Sequence, residues 1–127
     1  MIEILPVSDK EREKIFLRKM SVSDDAVVLE MTEKESTLGV VALKIKEEKL
    51  YILSLLAEGY SFDEKPDVEQ NFILDSLVRA AASYGETNGA TEIHISFCDF
   101  HDFMKNRGFD VQGGHAYAPM SLIVKYH

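Results

Sequence analysis

The sequence predicts a single α/β domain over residues 1–127, built on a mixed, mostly antiparallel sheet of six or seven strands with helices on both faces. Three observations lead to this prediction. The chain has 127 residues, of which 46% are hydrophobic, which is enough for one core and too little for a second domain. An almost uninterrupted apolar run at residues 50–57 is typical of a strand buried on both faces. The order of predicted strands and helices favours a mixed sheet covered by helices.

The first half of the chain predicts an edge strand, a helix and a meander of three strands. Residues 1–5 alternate weakly between apolar and polar and form a short edge strand that Pro6 ends. Ser8 and Glu11 have the spacing of a helix capping box, and the apolar stripe that follows ends near Met20. Three strands are then predicted at residues 26–32, 37–46 and 50–57.

Two strands of this meander differ in their patterns. In residues 37–46 an apolar set alternates with a more polar set, so one face is expected to be buried and the other to meet solvent. The solvent-facing set is Ala42, Lys44 and Lys46. The strand at residues 50–57 has no such alternation, which predicts a central position in the sheet.

The second half is predicted to begin with the longest helix of the chain. Asp67 can cap this helix, and apolar residues recur at helical spacing up to Tyr84. Gly85 and Gly89 follow, and residues 92–97 alternate as a further strand.

The C-terminal part predicts a short helix and one or two strands. Asp99 can cap the helix, Gly108 can end it in a left-handed conformation, and Phe109 then returns to the core. Residues 110–119 fit either a strand or a loop, and residues 120–126 predict the last strand.

The charge of the chain favours basic partners over anionic ones. A net charge of −8 argues against binding nucleic acid or an anionic membrane surface, because both attract clustered Lys and Arg. No segment approaches the roughly 20 apolar residues of a transmembrane helix, and residues 1–7 lack the features of a signal peptide. With one cysteine, Cys98, these observations predict a cytoplasmic protein.

Two segments of the chain carry a resemblance to a known family. Residues 89–95 read GATEIHI after the long helix, and residues 103–109 read FMKNRGF. Together with the order of elements, they resemble the G-A-x-x-I-x-L and F-Y-E-K-L-G-F segments of the GNAT superfamily of acyl-CoA-dependent N-acetyltransferases. The resemblance covers residue 27 to the C terminus. It implies a GNAT-like fold and acetyl transfer from acetyl-CoA to an amine of a small molecule or protein.

The resemblance also implies where the coenzyme would bind. In the family, an R-G-x-G-x-G/A loop between the central strand and the long helix holds the pyrophosphate of coenzyme A through its backbone N–H groups. Counting back from Gly89, residues 69–74 take those positions, and none of the six matches. The coenzyme-binding residues implied by this register are Leu56, Ala57, Val68, Glu69, Gln70, Asn71 and Phe72.

This register predicts a poor fit for a pyrophosphate. Glu69 replaces a cation by an anion, and Phe72 and Leu74 carry side chains where glycines would let the main chain approach the phosphates. Further carboxylates precede the helix at Glu58, Asp63, Glu64 and Asp67. Their potential should repel a phosphate group.

The catalytic residues implied by the resemblance are incomplete. Many family members use the tyrosine of F-Y-E-K-L-G-F as a general acid, and here that position holds Met104, whose thioether cannot donate a proton. Tyr117, Tyr84 and Cys98 are the candidate substitutes. Glu58, at the end of the central strand, is the candidate general base, with a solvated loop carboxylate as the alternative.

No metal site is predicted, although His94, Cys98 and His101 lie close together in the sequence. These residues fall in a strand, at its end and in a helix, so their spacing matches no regular zinc motif. Tyr60 and Phe62 lie within the acidic loop. Their rings suggest that this loop folds back onto the sheet and covers the coenzyme cleft.

Two hypotheses therefore remain open. The first is an N-acetyltransferase that binds acetyl-CoA through the main-chain N–H groups of residues 68–72. The second is a non-catalytic GNAT-like module for ligand or protein interaction, including a homodimer formed through the sheet edge of the last strands.

Overall fold

The structure is a computed structural model that describes residues 2–57, 67–95, 108–112 and 115–120. Within these residues the chain forms a seven-stranded sheet and two helices. The strands are β1 (Ile2–Pro6), β2 (Val27–Glu33), β3 (Ser36–Lys46), β4 (Lys49–Ala57), β5 (Glu92–Ile95), β6 (Asp110–Gln112) and β7 (His115–Pro119). The helices are α1 (Lys10–Lys19) and α2 (Val68–Thr87).

The strand order places β4 at the centre of the sheet. The strands lie in the order β1-β2-β3-β4-β5-β7-β6. β4 and β5 run parallel, and the other neighbouring strands run antiparallel. The predicted mixed, mostly antiparallel sheet is confirmed, and so is the central position of the apolar run at residues 50–57.

α1 covers one face of the sheet across β2 and β3. Its Leu17 packs in one buried cluster with Val28 of β2 and with Val40 and Ala42 of β3. The prediction that Ala42 faces solvent is therefore wrong. The sequence of β3 suggests one exposed face because alanine occurs on both buried and exposed faces of strands. Ala42 is buried because α1 packs over it.

The N-cap of α1 lies one residue later than predicted. Asp9, not Ser8, is the cap, because its carboxylate accepts the backbone N–H of Glu11 at 2.9 Å and that of Arg12 at 3.4 Å. The helix ends at its C-cap Met20, as predicted.

α2 covers the opposite face, so the prediction of helices on both faces is confirmed. The cap predicted at Asp67 is also confirmed. Gly39 of β3 lets the helix approach the sheet closely. A Cβ atom there would lie 2.7 Å from the carbonyl oxygen of Leu56 and 3.0 Å from the side chains of Ile73 and Leu77. Neither described helix is long and apolar enough to cross a membrane.

The C-terminal predictions are confirmed in part. Gly108 has a φ of 92° and Phe109 is buried. The stretch that fitted either a strand or a loop contains two strands, β6 and β7. Met120 follows β7 and is not part of it, so a strand beginning at Met120 is not observed. The rest of that predicted strand, and the short helix predicted after Asp99, lie outside the described residues.

Candidate functional site

The end of β4 and the start of α2 converge above β3. Ala57, the last residue of β4, pairs with Gly39 of β3. Ile73, in the second turn of α2, belongs to the same buried cluster as Ala57. The close contacts at Gly39 join Leu56 to α2. The structure thus brings Leu56 near Ile73 and Leu77 of α2.

A β-bulge bends β4 just before this junction. The register between β3 and β4 passes from Ala42–Ser54 to Leu43–Ile52, which leaves Leu53 as an extra residue in β4. A bulge bends its strand and increases the local twist. β4 is therefore redirected at Leu53, in the middle of the sheet.

The parallel pairing of β4 with β5 is described as far as Ile52, the residue before this bulge. Four pairs are formed, from Lys49–Glu92 to Ile52–Ile95. Residues 54–57 of β4 remain paired with β3, but no described residue of β5 pairs with them. Among the described residues, the other edge of this stretch, about 13 Å long, has no partner strand. Such an edge can bind an extended amide-containing ligand as an additional strand would bind.

The first turn of α2 is closed by a capping box. The Asp67 carboxylate accepts the backbone N–H of Gln70 at 2.8 Å, and the Gln70 side-chain oxygen accepts the backbone N–H of Asp67 at 3.0 Å. The backbone N–H of Asn71 donates to the carbonyl of Asp67 at 2.9 Å. Among described atoms, only the N–H groups of Val68 and Glu69 in this turn have no acceptor.

The side chains of this turn are apolar or acidic. Val68 is 88% exposed and Phe72 is 46% exposed, and Glu69 is also exposed. The first turn carries Glu69 and is capped by Asp67, so both of these charged side chains are acidic. Leu74, by contrast, is fully buried in the core, so the prediction that it would obstruct a ligand is wrong.

Comparisons with known structures identify this arrangement of strands and helices. An N-acetyltransferase from Staphylococcus aureus Mu50 superposes with a TM-score of 0.67 at 16% identity, over 94% of this chain and 98% of that chain. The putative N-acetyltransferase YhhK from E. coli, solved with coenzyme A, superposes with a TM-score of 0.62 at 15% identity, over 94% and 98%. The chain has the GNAT fold. No family model matches it, and no curated protein sequence matches it.

A third neighbour with the GNAT fold was solved in a complex with a protein segment. It is a mutant of the AtaT toxin, bound to the C terminus of the antitoxin AtaR and to acetyl-CoA, with a TM-score of 0.61 at 12% identity over 97% of this chain and 96% of that chain. At this identity the likeness concerns the fold alone.

Within the GNAT fold, the first turn of α2 fits a pyrophosphate poorly. Of the five N–H groups at residues 68–72 that were predicted to hold the phosphates, Gln70 and Asn71 donate to Asp67, and Phe72 lies inside the helical ladder. Two groups remain, at Val68 and Glu69, beside two carboxylates. The edge of β4 that has no described partner does not share this problem, because the described side chains around it are apolar.

Tyr117 lies far from this junction. In the sheet it pairs with His94, which pairs with Tyr51 near the start of β4. Tyr51 is six positions before Ala57, a distance of about 20 Å along the strand. The structure therefore does not bring Tyr117 near the end of β4. Glu58, the other predicted catalytic residue, lies outside the described residues.

Three rings form an aromatic row across β4, β5 and β7 on the face opposite α2. The ring of His94 lies 5.5 Å from that of Tyr51 and 5.2 Å from that of Tyr117, measured between centroids. The Nε2 atom of His94 lies 3.1 Å from the Glu92 carboxylate. These contacts give His94 a packing role in the sheet. The two other residues considered as metal ligands, Cys98 and His101, are outside the described residues.

Sequence reasoning missed a buried carboxylate beneath α1. Glu30 of β2 is 8% exposed, and it accepts hydrogen bonds from Arg12 at 2.7 Å and from Thr37 at 2.5 Å. Burial raises the pKa of Glu30, but the two hydrogen bonds and the charge of Arg12 outweigh burial and hold its pKa below the usual value. The available signal was one glutamate in the apolar run VVLEM.

Proposed function

We propose that the chain is an N-acyltransferase of the GNAT fold, which binds acetyl-CoA at the end of β4 and transfers the acetyl group to an amine. The observation that carries this proposal is the bulged β4, whose residues 54–57 pair with β3 but with no described residue of β5. A strand edge of this kind suits an extended thioester. Neighbours of the same fold that were solved with coenzyme A or acetyl-CoA support it.

In the proposed reaction the amine nitrogen attacks the carbonyl carbon of the thioester. A cationic acceptor must first lose one proton to a base, and we assign that proton to Glu58, which directly follows β4. When the carbon–sulfur bond breaks, the nitrogen gives up a second proton and the departing thiolate takes up one, so coenzyme A leaves as its thiol. No step is assigned to Tyr117, because it is level with the start of β4. The residue that protonates the departing thiolate is not assigned, because Met104 occupies the position of the family's tyrosine.

The acceptor is proposed to be a cationic amine of a small molecule or a protein. The net charge of −8 attracts such groups and repels nucleic acid. The AtaT neighbour bound to an AtaR segment supports a protein as a partner of this fold.

A second candidate function is a GNAT-fold module that has lost catalysis and binds a ligand or a protein. The capping box of Asp67 favours it, because a carboxylate already takes an N–H group that the fold would offer to a phosphate. The exposure of Val68 and Phe72 points the same way, since an uncovered apolar pair is typical of a contact surface. A homodimer is one form of this candidate, and light scattering that shows a monomer at high concentration would remove it.

Calorimetric titration with acetyl-CoA separates the two functions. The first predicts saturable heat and an increase in melting temperature, followed by transfer to an amine. No heat and no thermal shift at millimolar acetyl-CoA would leave only the second.

A substitution then tests whether binding is at the proposed place. Phe72→Asp adds an anion to the first turn of α2, and we expect it to weaken acetyl-CoA binding. Ile15→Asp is the matched control, because Ile15 is an exposed apolar residue of α1 at 60% exposure. Equal weakening in both variants would place the ligand elsewhere.

A further inference from the structure

We infer that the donor thioester is recognised through its pantetheine arm, and that the phosphates of its nucleotide add no affinity. This inference rests on the proposed function and specifies which part of the donor the site takes. It follows from the difference between the two components of the site, the edge of β4 and the first turn of α2.

The edge of β4 is suited to the pantetheine arm. An arm of this kind carries two amide groups on an otherwise apolar chain, so it needs backbone donors and acceptors beside apolar side chains. The backbone groups of residues 54–57 on the edge away from β3, where no described residue pairs with them, are the donors and acceptors of the proposed site. Leu53 and Leu56 are partly buried apolar side chains on the face that α1 covers, and Leu55 and Ala57 are buried on the face that α2 covers.

The first turn of α2 is unsuited to the phosphates for an electrostatic reason. The Asp67 carboxylate already accepts from the helix terminus, and Glu69 adds a second anion at the next position but one. At hydrogen-bond distances each carboxylate repels a phosphate, and no cation of this turn compensates. The Asp67 carboxylate already interacts with the positive end of the helix dipole, which leaves less attraction for a phosphate.

The first turn of α2 is also unsuited to the phosphates for a steric reason. A diphosphate needs a main chain that it can approach closely, which is why glycines serve elsewhere. Here Val68 and Phe72 project from the turn with 88% and 46% of their surface exposed. A charged phosphate beside these side chains would lose water without gaining a partner.

Two thioesters that share the arm and differ in the nucleotide test the inference directly. Acetyl-CoA and S-acetylpantetheine are titrated into the full chain by calorimetry at low and high salt. We expect dissociation constants within about tenfold of each other, because a single charge-assisted bond to a phosphate would already exceed that ratio. We also expect acetyl-CoA to bind no more weakly at high salt, since salt screens repulsion.

The other outcomes have distinct meanings. Acetyl-CoA that binds more than about tenfold tighter than S-acetylpantetheine, with a loss at high salt, overturns the inference and leaves the proposed function standing. Absence of binding by both thioesters overturns the proposed function, and the inference falls with it.

A charge reversal sharpens the test. Glu69→Arg supplies the missing cation, and we expect it to tighten acetyl-CoA on the order of tenfold while leaving S-acetylpantetheine unchanged. Glu11→Arg is the matched control, because Glu11 takes the same position after its cap in α1 as Glu69 takes in α2. An equal change for both thioesters in Glu69→Arg contradicts the inference.

Discussion

The two helices begin with the same chemistry but stand in different places. Asp9 caps α1 and Asp67 caps α2, and each cap is followed two positions later by a glutamate. Of the two helix starts, that of α2 is the one at which the resemblance to the GNAT superfamily implies a phosphate site. An ordinary capped helix start therefore stands where an anion site would be expected.

The helices also differ in how they are held on the sheet. α2 lies on a buried apolar surface that Gly39 brings close. α1 buries less apolar surface and adds an ion pair, from Arg12 to the buried Glu30. The helix of the candidate site is thus fixed by packing, and the other is fixed partly by charge. The predictions below test this difference in order of decreasing effect.

The largest effect is expected where α2 meets β3. Gly39→Ala should lower the free energy of unfolding by about 3 kcal/mol, because the new methyl group meets a backbone oxygen that cannot move aside. Gly85→Ala is the control, since the three atoms nearest to its Cβ would be side-chain atoms of Leu50, the closest at 3.0 Å, and alanine favours a helix. Urea denaturation should show less than about 1 kcal/mol of change there. Equal losses at both glycines would contradict the account of α2.

A smaller effect is expected at the anchor of α1. Arg12→Ala should cost about 2 kcal/mol, because it removes a charged partner from the nearly buried Glu30. Arg79→Ala breaks an exposed pair with Asp75 and should cost about 0.5 kcal/mol or less. Thermal denaturation measures both. Similar losses of stability in the two variants would mean that Arg12 stabilises the buried Glu30 no more than an exposed ion pair would.

The caps are expected to contribute about equally to stability. Asp9→Ala and Asp67→Ala should each cost about 1 kcal/mol, since each removes an acceptor from a helix terminus. Asp67→Ser keeps an acceptor without the charge, and we expect it to retain stability and to tighten acetyl-CoA. Asp9→Ser should leave that affinity unchanged. A gain in affinity in both serine variants would be inconsistent with a local effect.

The smallest effect is expected in the pH dependence of stability. The pKa of Glu30 is lower in the folded chain than in the unfolded chain, so its contribution to stability is fully present above the unfolded pKa and is lost as the pH falls through the folded pKa. Glu30→Gln should flatten the acid limb of the stability curve. An acid limb that is unchanged in this variant would assign the pH dependence to other carboxylates.

Much of the fold could be predicted because its signals are local. The uninterrupted apolar run at residues 50–57 marked the central strand, and Asp67 marked the start of α2. The burial of Ala42 was missed because it depends on a helix that packs from elsewhere in the sequence. The cap at Asp9 was missed because two neighbouring residues, Ser8 and Asp9, both have capping side chains.

The candidate site was only partly predictable. The mismatch with the family motif was visible in Glu69 and Phe72, but the capping box formed by Gln70 was not inferred. Tyr117 was selected by residue type alone, and only the strand register places it level with Tyr51, which is about 20 Å along β4 from Ala57. Distance across a sheet is set by pairing, and a single sequence does not state which strands pair.

The central claim is that the start of α2 is a capped helix terminus and not an anion site. The most direct measurement is an NMR titration of the chain with inorganic pyrophosphate, following the backbone amides of Val68 and Glu69. The account predicts no saturable shift of these two amides, and saturable shifts in Glu69→Arg. Saturable shifts of Val68 and Glu69 in the unmodified chain would contradict it.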